Sequence, residues 1–396
     1  MKQIIDSKLH VFAIFLYAAI CPFVVMSAPV IAQQLALEWQ LAPSQVGMFF
    51  FVELGIMSLA TIPAYFWSKK ITLRKATLYA ACLFLIGNLL SIFATSYEFL
   101  LMTRVISAFG GGSIMIITIT SCSLTAKPDN SYGFWVLGQV LLGAVALFYM
   151  PKLFVYWGLS ASFFLAVILM MIALPFYRYF ADFFIEQEIK NVVASKQNKH
   201  FGLISLLATL LFYIAVGGVW TFMSSIAAHA KIDVNFVNSV LALSTLLGIA
   251  GCFLPSVIGS LWDRKYFLTL GYCLLFISLG LLISKITQHS LMAAILLFKF
   301  AWMFTIPFIL ASVASFDVTG KLLNTINLVA GGGLAIGPAV AGRVIENTAN
   351  FNLLVIYSIF LFAISFILIY ICTMKKIEIN RIESGSVDSK NRTSSV

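Results

Sequence analysis

Residues 64–75 read AYFWSKKITLRK and residues 259–267 read GSLWDRKYF, two short basic breaks, each between apolar runs long enough to cross a bilayer. They lie 195 positions apart, an offset that sets Trp67 on Trp262, Lys69 on Arg264, Ala64 on Gly259 and Ser68 on Asp263. The same offset, unshifted, sets Arg104 on Lys299 and Gly138 on Gly333. Self-similarity that is weak in identity but coherent in position implies two like halves.

Outward from these breaks the chain divides into apolar runs. In the first half they cover 9–33, 45–67, 74–95, 98–124, 131–156 and 159–180. In the second they cover 201–228, 236–261, 267–285, 290–315, 322–345 and 351–374. Of 396 residues, 61% are hydrophobic and 10% charged, where soluble domains carry roughly 25% charge. So few charges cannot coat a water-soluble globule. In lipid each backbone donor and acceptor needs an internal partner, and runs this long exceed barrel strands, so all twelve are expected as helices. The fold class implied is an all-α membrane protein of twelve transmembrane helices in two pseudo-symmetric six-helix bundles. The first run, behind Lys2 and Lys8, exceeds the apolar centre of a signal peptide and is read as an uncleaved helix. The domains expected are a bundle over 1–180, a linker over 181–200, a bundle over 201–374 and a disordered tail over 375–396. The tail is Ser-rich, charged and without aromatics.

The formal charge is +10, from 25 basic and 15 acidic residues. In a soluble protein that excess would suggest nucleic acid, but here the basic residues occupy short loops. Nineteen lie on one side of the alternating spans, at the N-terminus, at Lys69 to Lys75, Lys127, the linker, Arg264 and Lys265, Lys321 and the tail. Only Lys152, Lys231, Lys285 and Arg343 lie on the other. The positive-inside rule then makes both termini and the linker cytoplasmic. The setting expected is the plasma membrane, or the inner membrane of a bacterium.

These loops resemble signatures of the major facilitator superfamily of secondary transporters. Its cytoplasmic signature, roughly G-x-x-x-D-R-x-G-R-R, is matched at its start by Gly259, Asp263 and Arg264, and the first copy keeps the basic residues Lys69, Arg74 and Lys75. A second, R-x-x-q-G-x-G in the fourth helix, resembles Arg104 with Gly110, Gly111 and Gly112. The Gly-Pro motif that drug-proton antiporters carry in helix five is absent from GQVLLGAVAL and looks present in helix eleven, GGGLAIGPAVAG, where Pro338 is the candidate kink. The resemblance implies alternating access. Independently of it, Asp263 and Arg264 at a helix end, with Lys69 opposite, can pair across the cytoplasmic mouth and set a conformational equilibrium.

Three formal charges fall deep within spans: Glu53, Arg104 and Lys299. Each costs at least about 2.5–3.5 kcal/mol on insertion scales and is a functional candidate for that reason. All three fall roughly 9–14 Å below the outer surface. Arg104 and Lys299 are repeat equivalents, so a pseudo-twofold axis would set them on opposite walls of the central cavity, as an anion site. Glu53 faces Gly248 in the repeat. It is either the carrier of a coupled proton beside Arg104 or a fixed counter-charge to it. Tyr17, Tyr213, Trp220 and Trp302 are the aromatic candidates for the cavity wall. The six cysteines lie in apolar runs without C-x-x-C spacing, so neither a disulfide frame nor a metal site is indicated, and no cofactor is expected. The four histidines fall at loops or helix ends and are read as interfacial.

The function expected is a secondary active transporter, proton-coupled through Glu53, that moves a small organic anion. Its partners are that small molecule, protons and the bilayer, with no nucleic acid, and the chain acts as a monomer. The alternative is a multidrug or lipophilic-compound efflux pump, with Glu53 as counter-ion to a cationic substrate. A transporter-like sensor and a membrane-embedded transferase rank below these. The transferase would need paired carboxylates, a His or a metal near an interface, and no such constellation occurs.

Overall fold

The computed structural model describes residues 7–183, 196–258, 261–283, 286–317 and 321–393. Most of the expected linker, Gly259 of the second signature and Lys285 lie outside the described residues. Every regular element among the described residues is helical, and eleven helices are long and apolar enough to cross a membrane.

The first span departs from the continuous helix expected over 9–33. It is built of α1 (Lys8–Ile20), α2 (Phe23–Met26) and α3 (Ala28–Glu38). Pro22 lacks the N–H that would continue α1, Ser27 bends its hydroxyl back to the Phe23 carbonyl at 2.7 Å, and Pro29 opens α3 at its first turn. The second span is α4 (Pro43–Leu59) followed by α5 (Thr61–Trp67). Pro43 starts α4, where Gln45 accepts the Ala42 N–H at 3.0 Å.

The first half continues with α6 (Leu73–Ile92), α7 (Tyr97–Cys122), α8 (Pro128–Trp157) and α9 (Ser160–Ala173), the last extended by a 3-10 turn over Leu174–Tyr179. The Ser96 hydroxyl caps α7 by accepting the Phe99 N–H. Gly158, at φ +58°, ends α8.

The second half holds α10 (Lys196–His229), α11 (Val234–Ile258), α12 (Arg264–Ile283), α13 (Gln288–Ala314), α14 (Lys321–Thr348) and α15 (Phe351–Thr393). The helical backbone of α15 runs on to Thr393, through most of the stretch expected as an unfolded tail. Its span proper is Phe351–Lys375.

Hydrogen bonds sort the helix ends into two faces. At the near face, where α1 begins, the His10 Nδ1 meets the Tyr179 carbonyl at 2.8 Å and Arg74 pairs with Asp182 at 3.0 Å. At the far face Glu38 accepts the Leu159 N–H at 2.6 Å, and Glu346 accepts the Ser44 N–H at 3.1 Å. His10 corrects the interfacial reading of the histidines. It is fully buried against Phe180, because the start of α1 is roofed by the end of the sixth span.

The halves meet mainly along three helix pairs: α4 on α14, α8 on α11 and α3 on α10. The third pair belongs to the far face, since α3 is the outer part of the broken first span. Its near-face part, α1, packs instead on α7, α8 and α9 of its own half. The molecule is therefore closed at the far face, and its mouth between the halves is at the near face. The α4–α14 contact runs the length of α4, from Ser44 beside Glu346 to Ser58 beside the Leu328 carbonyl. A Cβ at Gly47 would strike the Pro338 carbonyl, one at Gly342 the Pro43 carbonyl and one at Gly331 the Ser58 hydroxyl. Such small residues let two backbones approach closely in lipid, which assigns GGGLAIGPAVAG a packing role.

Candidate functional site

Along their helices Glu53, Arg104 and Lys299 lie about 10–17 Å from the far face, at 1.5 Å per residue. Each is at most 2% exposed. Burial at this depth obliges each charge to find a partner, and the three find different ones.

Arg104 and Glu53 find each other. The guanidinium donates from Nε to Glu53 Oε2 at 2.8 Å and from Nη2 to Oε1 at 2.6 Å. Its Nη1 donates to Asn88 Oδ1 at 2.8 Å, and Asn88 Nδ2 donates in turn to the Ser107 hydroxyl and the Phe84 carbonyl, each at 2.8 Å. The ring of Phe163 lies 4.9 Å from the guanidinium carbon. α4, α6, α7 and α9 of the first half thus surround the guanidinium, and its contact with Glu53 has the bidentate form in which Arg binds carboxylate most strongly. The expectation set Arg104 opposite Lys299 across the cavity; the hydrogen bonds it makes run to Glu53 and Asn88 of its own half. Its donors are directed into its own bundle because Glu53 and Asn88 lie within reach there. Asn88, unflagged in the sequence reading, was findable as an amide in the middle of an apolar run.

Lys299 has no such shell. Its Nζ lies 4.0 Å from the Trp302 ring centroid and 4.1 Å from that of Trp220, with the two indoles 6.1 Å apart and inclined at 61°. No carboxylate pairs with it among the described residues. Gly248, the repeat counterpart of Glu53, leaves room for the lysine stem, whose Cγ would lie 3.4 Å from a Cβ there. The indole N–H of Trp302 is buried and also lacks an acceptor among the described residues. Two donors, one of them cationic, therefore lie in the second half without an oxygen among the described residues to receive them. Trp302 sits three residues along α13 from Lys299, while Trp220 comes from α10.

The remaining candidates are spread out. Tyr17 is buried in the first half, edge-on to Phe180 with its hydroxyl 3.3 Å from the Leu174 carbonyl. Tyr213 is half-buried on α10, two turns from Trp220, where its Cβ approaches Gly333 of α14. At the near face Asp263 pairs with Lys265 at 3.6 Å, and Arg264 donates to the Ala311 carbonyl at 2.8 Å. Both contacts stay within the second half, as a mouth open on that side requires. Lys69 is exposed at the end of the second span.

A family model described as Major Facilitator Superfamily matches residues 12–338, most of the chain. The chain belongs to the Major Facilitator Superfamily. Membership makes it a secondary transporter and a multi-pass membrane protein. A solved structure of similar fold is that of a bacterial homolog to the human lysosomal transporter Spinster, in inward-facing and unoccupied conformation. It aligns over 94% of this chain and 99% of its own, with a TM-score of 0.67 and 12% sequence identity, a likeness of fold.

Proposed function

We propose that this transporter moves a small organic anion with an apolar body by alternating access, driven by protons, with both termini in the cytoplasm. The observation that carries the anion is the buried ammonium of Lys299, which lies over the faces of Trp220 and Trp302, beside a Trp302 N–H that has no acceptor among the described residues. A ligand carboxylate or phosphate would satisfy both donors, and the indoles would cover its apolar portion. Arg104 is left out of the binding site in this reading, because its charge is already paired with Glu53 and it also donates to Asn88. The same pair removes the carboxylate that a cationic drug would need, which disfavours the efflux reading.

The coupled proton is assigned to Glu53, the buried acid among the described residues. Protonation would break its pair with Arg104 and loosen α4 from α7, and α4 is also the helix that packs on α14 of the other half. The excess of basic residues at the near-face loops supports the cytoplasmic orientation. It makes the open mouth an inward-facing one.

The test is uptake of a panel of aromatic and aliphatic carboxylates into vesicles holding the reconstituted protein. A charge-assisted contact is worth about 1.5–3 kcal/mol, so Lys299→Ala should raise the dissociation constant roughly ten- to a hundredfold. Glu53→Gln should keep exchange and lose accumulation driven by a proton gradient. Normal binding by Lys299→Ala would end the anion reading. Gradient-driven accumulation by Glu53→Gln would end the coupling assignment alone.

A further inference from the structure

A second site lies away from Lys299, at the near face of the first half. There α1 and α8 diverge around a cleft of about 860 Å³, opened by Lys8 on α1 and by Lys127 and Asn130 at the start of α8. Its floor is made by Phe12, Phe15, Phe134, Leu137 and Leu141. None of Glu53, Arg104, Trp220, Lys299 or Trp302 lines it. We propose that this cleft binds an anionic phospholipid from the near-face leaflet, its phosphate held by Lys8 and Lys127 and one acyl chain laid along the floor.

The polarity of the walls is graded along the membrane normal as that of a lipid is. On α1, Lys8 precedes Val11, Phe12 and Phe15, spaced so that one helix face runs from cation to apolar side chains over about 10 Å. On α8 the same order runs from Lys127 to Leu141 over about 20 Å. A water-soluble anion would need polar groups around its whole outline, whereas here they stop at the mouth.

Charge agrees with shape. Among the residues whose side chains are described, none that lines the cleft is acidic and neither lysine has a carboxylate partner. Phe12 and Phe134, 45% and 47% exposed, leave the floor open to an acyl chain. The mouth is also held in shape, because the Thr125 and Ser131 hydroxyls bond at 2.8 Å across the turn that carries Lys127. Basic residues at this depth are where a membrane surface recruits anionic headgroups.

The test is native mass spectrometry of the full chain from mixed micelles, counting retained phosphatidylglycerol against phosphatidylcholine of identical chains. The wild type should retain one phosphatidylglycerol preferentially. Lys8→Gln with Lys127→Gln, both on exposed side chains, should remove the preference, by about fivefold for each lysine. Leu137→Trp, which fills the floor and leaves both cations in place, should displace the lipid as well. Equal retention of the two lipids overturns the proposal, as does unchanged preference in the double variant. Competition by glycerol phosphate at the concentration of the lipid would also overturn it, since the site would then be one for a soluble anion.

Discussion

At the scale of single residues, the Glu53–Arg104 pair makes two contacts whose loss is not equivalent. Arg104→Ala should cost about 3–5 kcal/mol, because it strands a buried carboxylate as well as removing a bond. Arg104→Lys keeps the charge but cannot meet both Glu53 oxygens and Asn88 at once, so it should fall between wild type and alanine. Thermal unfolding in detergent orders the three, and equal melting temperatures would show the pair to be idle. Depth and sign of the three buried charges were legible in the sequence, since ionisable side chains are conspicuous in apolar runs. Their partners were not. The repeat offset aligns Arg104 with Lys299, but it carries no information on side-chain direction. Each cation was captured by what its own bundle offered, a carboxylate and an amide for one and two indoles for the other.

Among elements, the α4–α14 contact makes the sharpest demand. Gly47→Val drives a branched side chain into the Pro338 carbonyl, whereas Gly55, two turns along the same helix, has only the Ala335 Cβ at 3.8 Å near its own added carbon. Gly47→Val should therefore lower stability by about 1–3 kcal/mol, as overpacking does, with loss of transport, while Gly55→Ala should be close to neutral. A melting curve of each variant decides it. Equal tolerance at both positions would mean that the two backbones are not in contact. The sequence disclosed the small residues of helix eleven and their suitability for close packing. It did not disclose the partner, because any helix with a glycine face would have served. Nor did periodicity reveal the break of the first span, where Pro22 sits amid unbroken apolarity.

For the whole molecule, the closed far face and open near face are one of two states. In this one Asp263 and Arg264 bond only within the second half, so their role across the mouth belongs to the alternative state. We expect them, with Lys69, to stabilise the form open at the far face. Asp263→Asn should then shift the population towards the state described here while substrate binding persists. Spin labels at Lys70 and Tyr266 should report longer distances in the variant, and an unchanged distribution would remove Asp263 from the gate. The helical spans were the most legible feature at this scale, since length and hydropathy act additively along a chain. The state was not, because it depends on a few kcal/mol distributed over the contacts between halves.

The coordination shell of Arg104 also bears on how the protein is made. α7 leaves the ribosome after α4 and α6, and its arginine has no charge partner of its own within the span. Inserted alone, the segment should partition poorly, penalised by about 2.5–3.5 kcal/mol for the guanidinium. With α4 and α6 already waiting beside the insertion machinery, Glu53 and Asn88 can receive the side chain as it enters. The first half should thus assemble as a group of helices rather than one at a time. In a glycosylation-mapped insertion assay, α7 should integrate better behind its natural predecessors than behind the same segments carrying Glu53→Ala and Asn88→Ala.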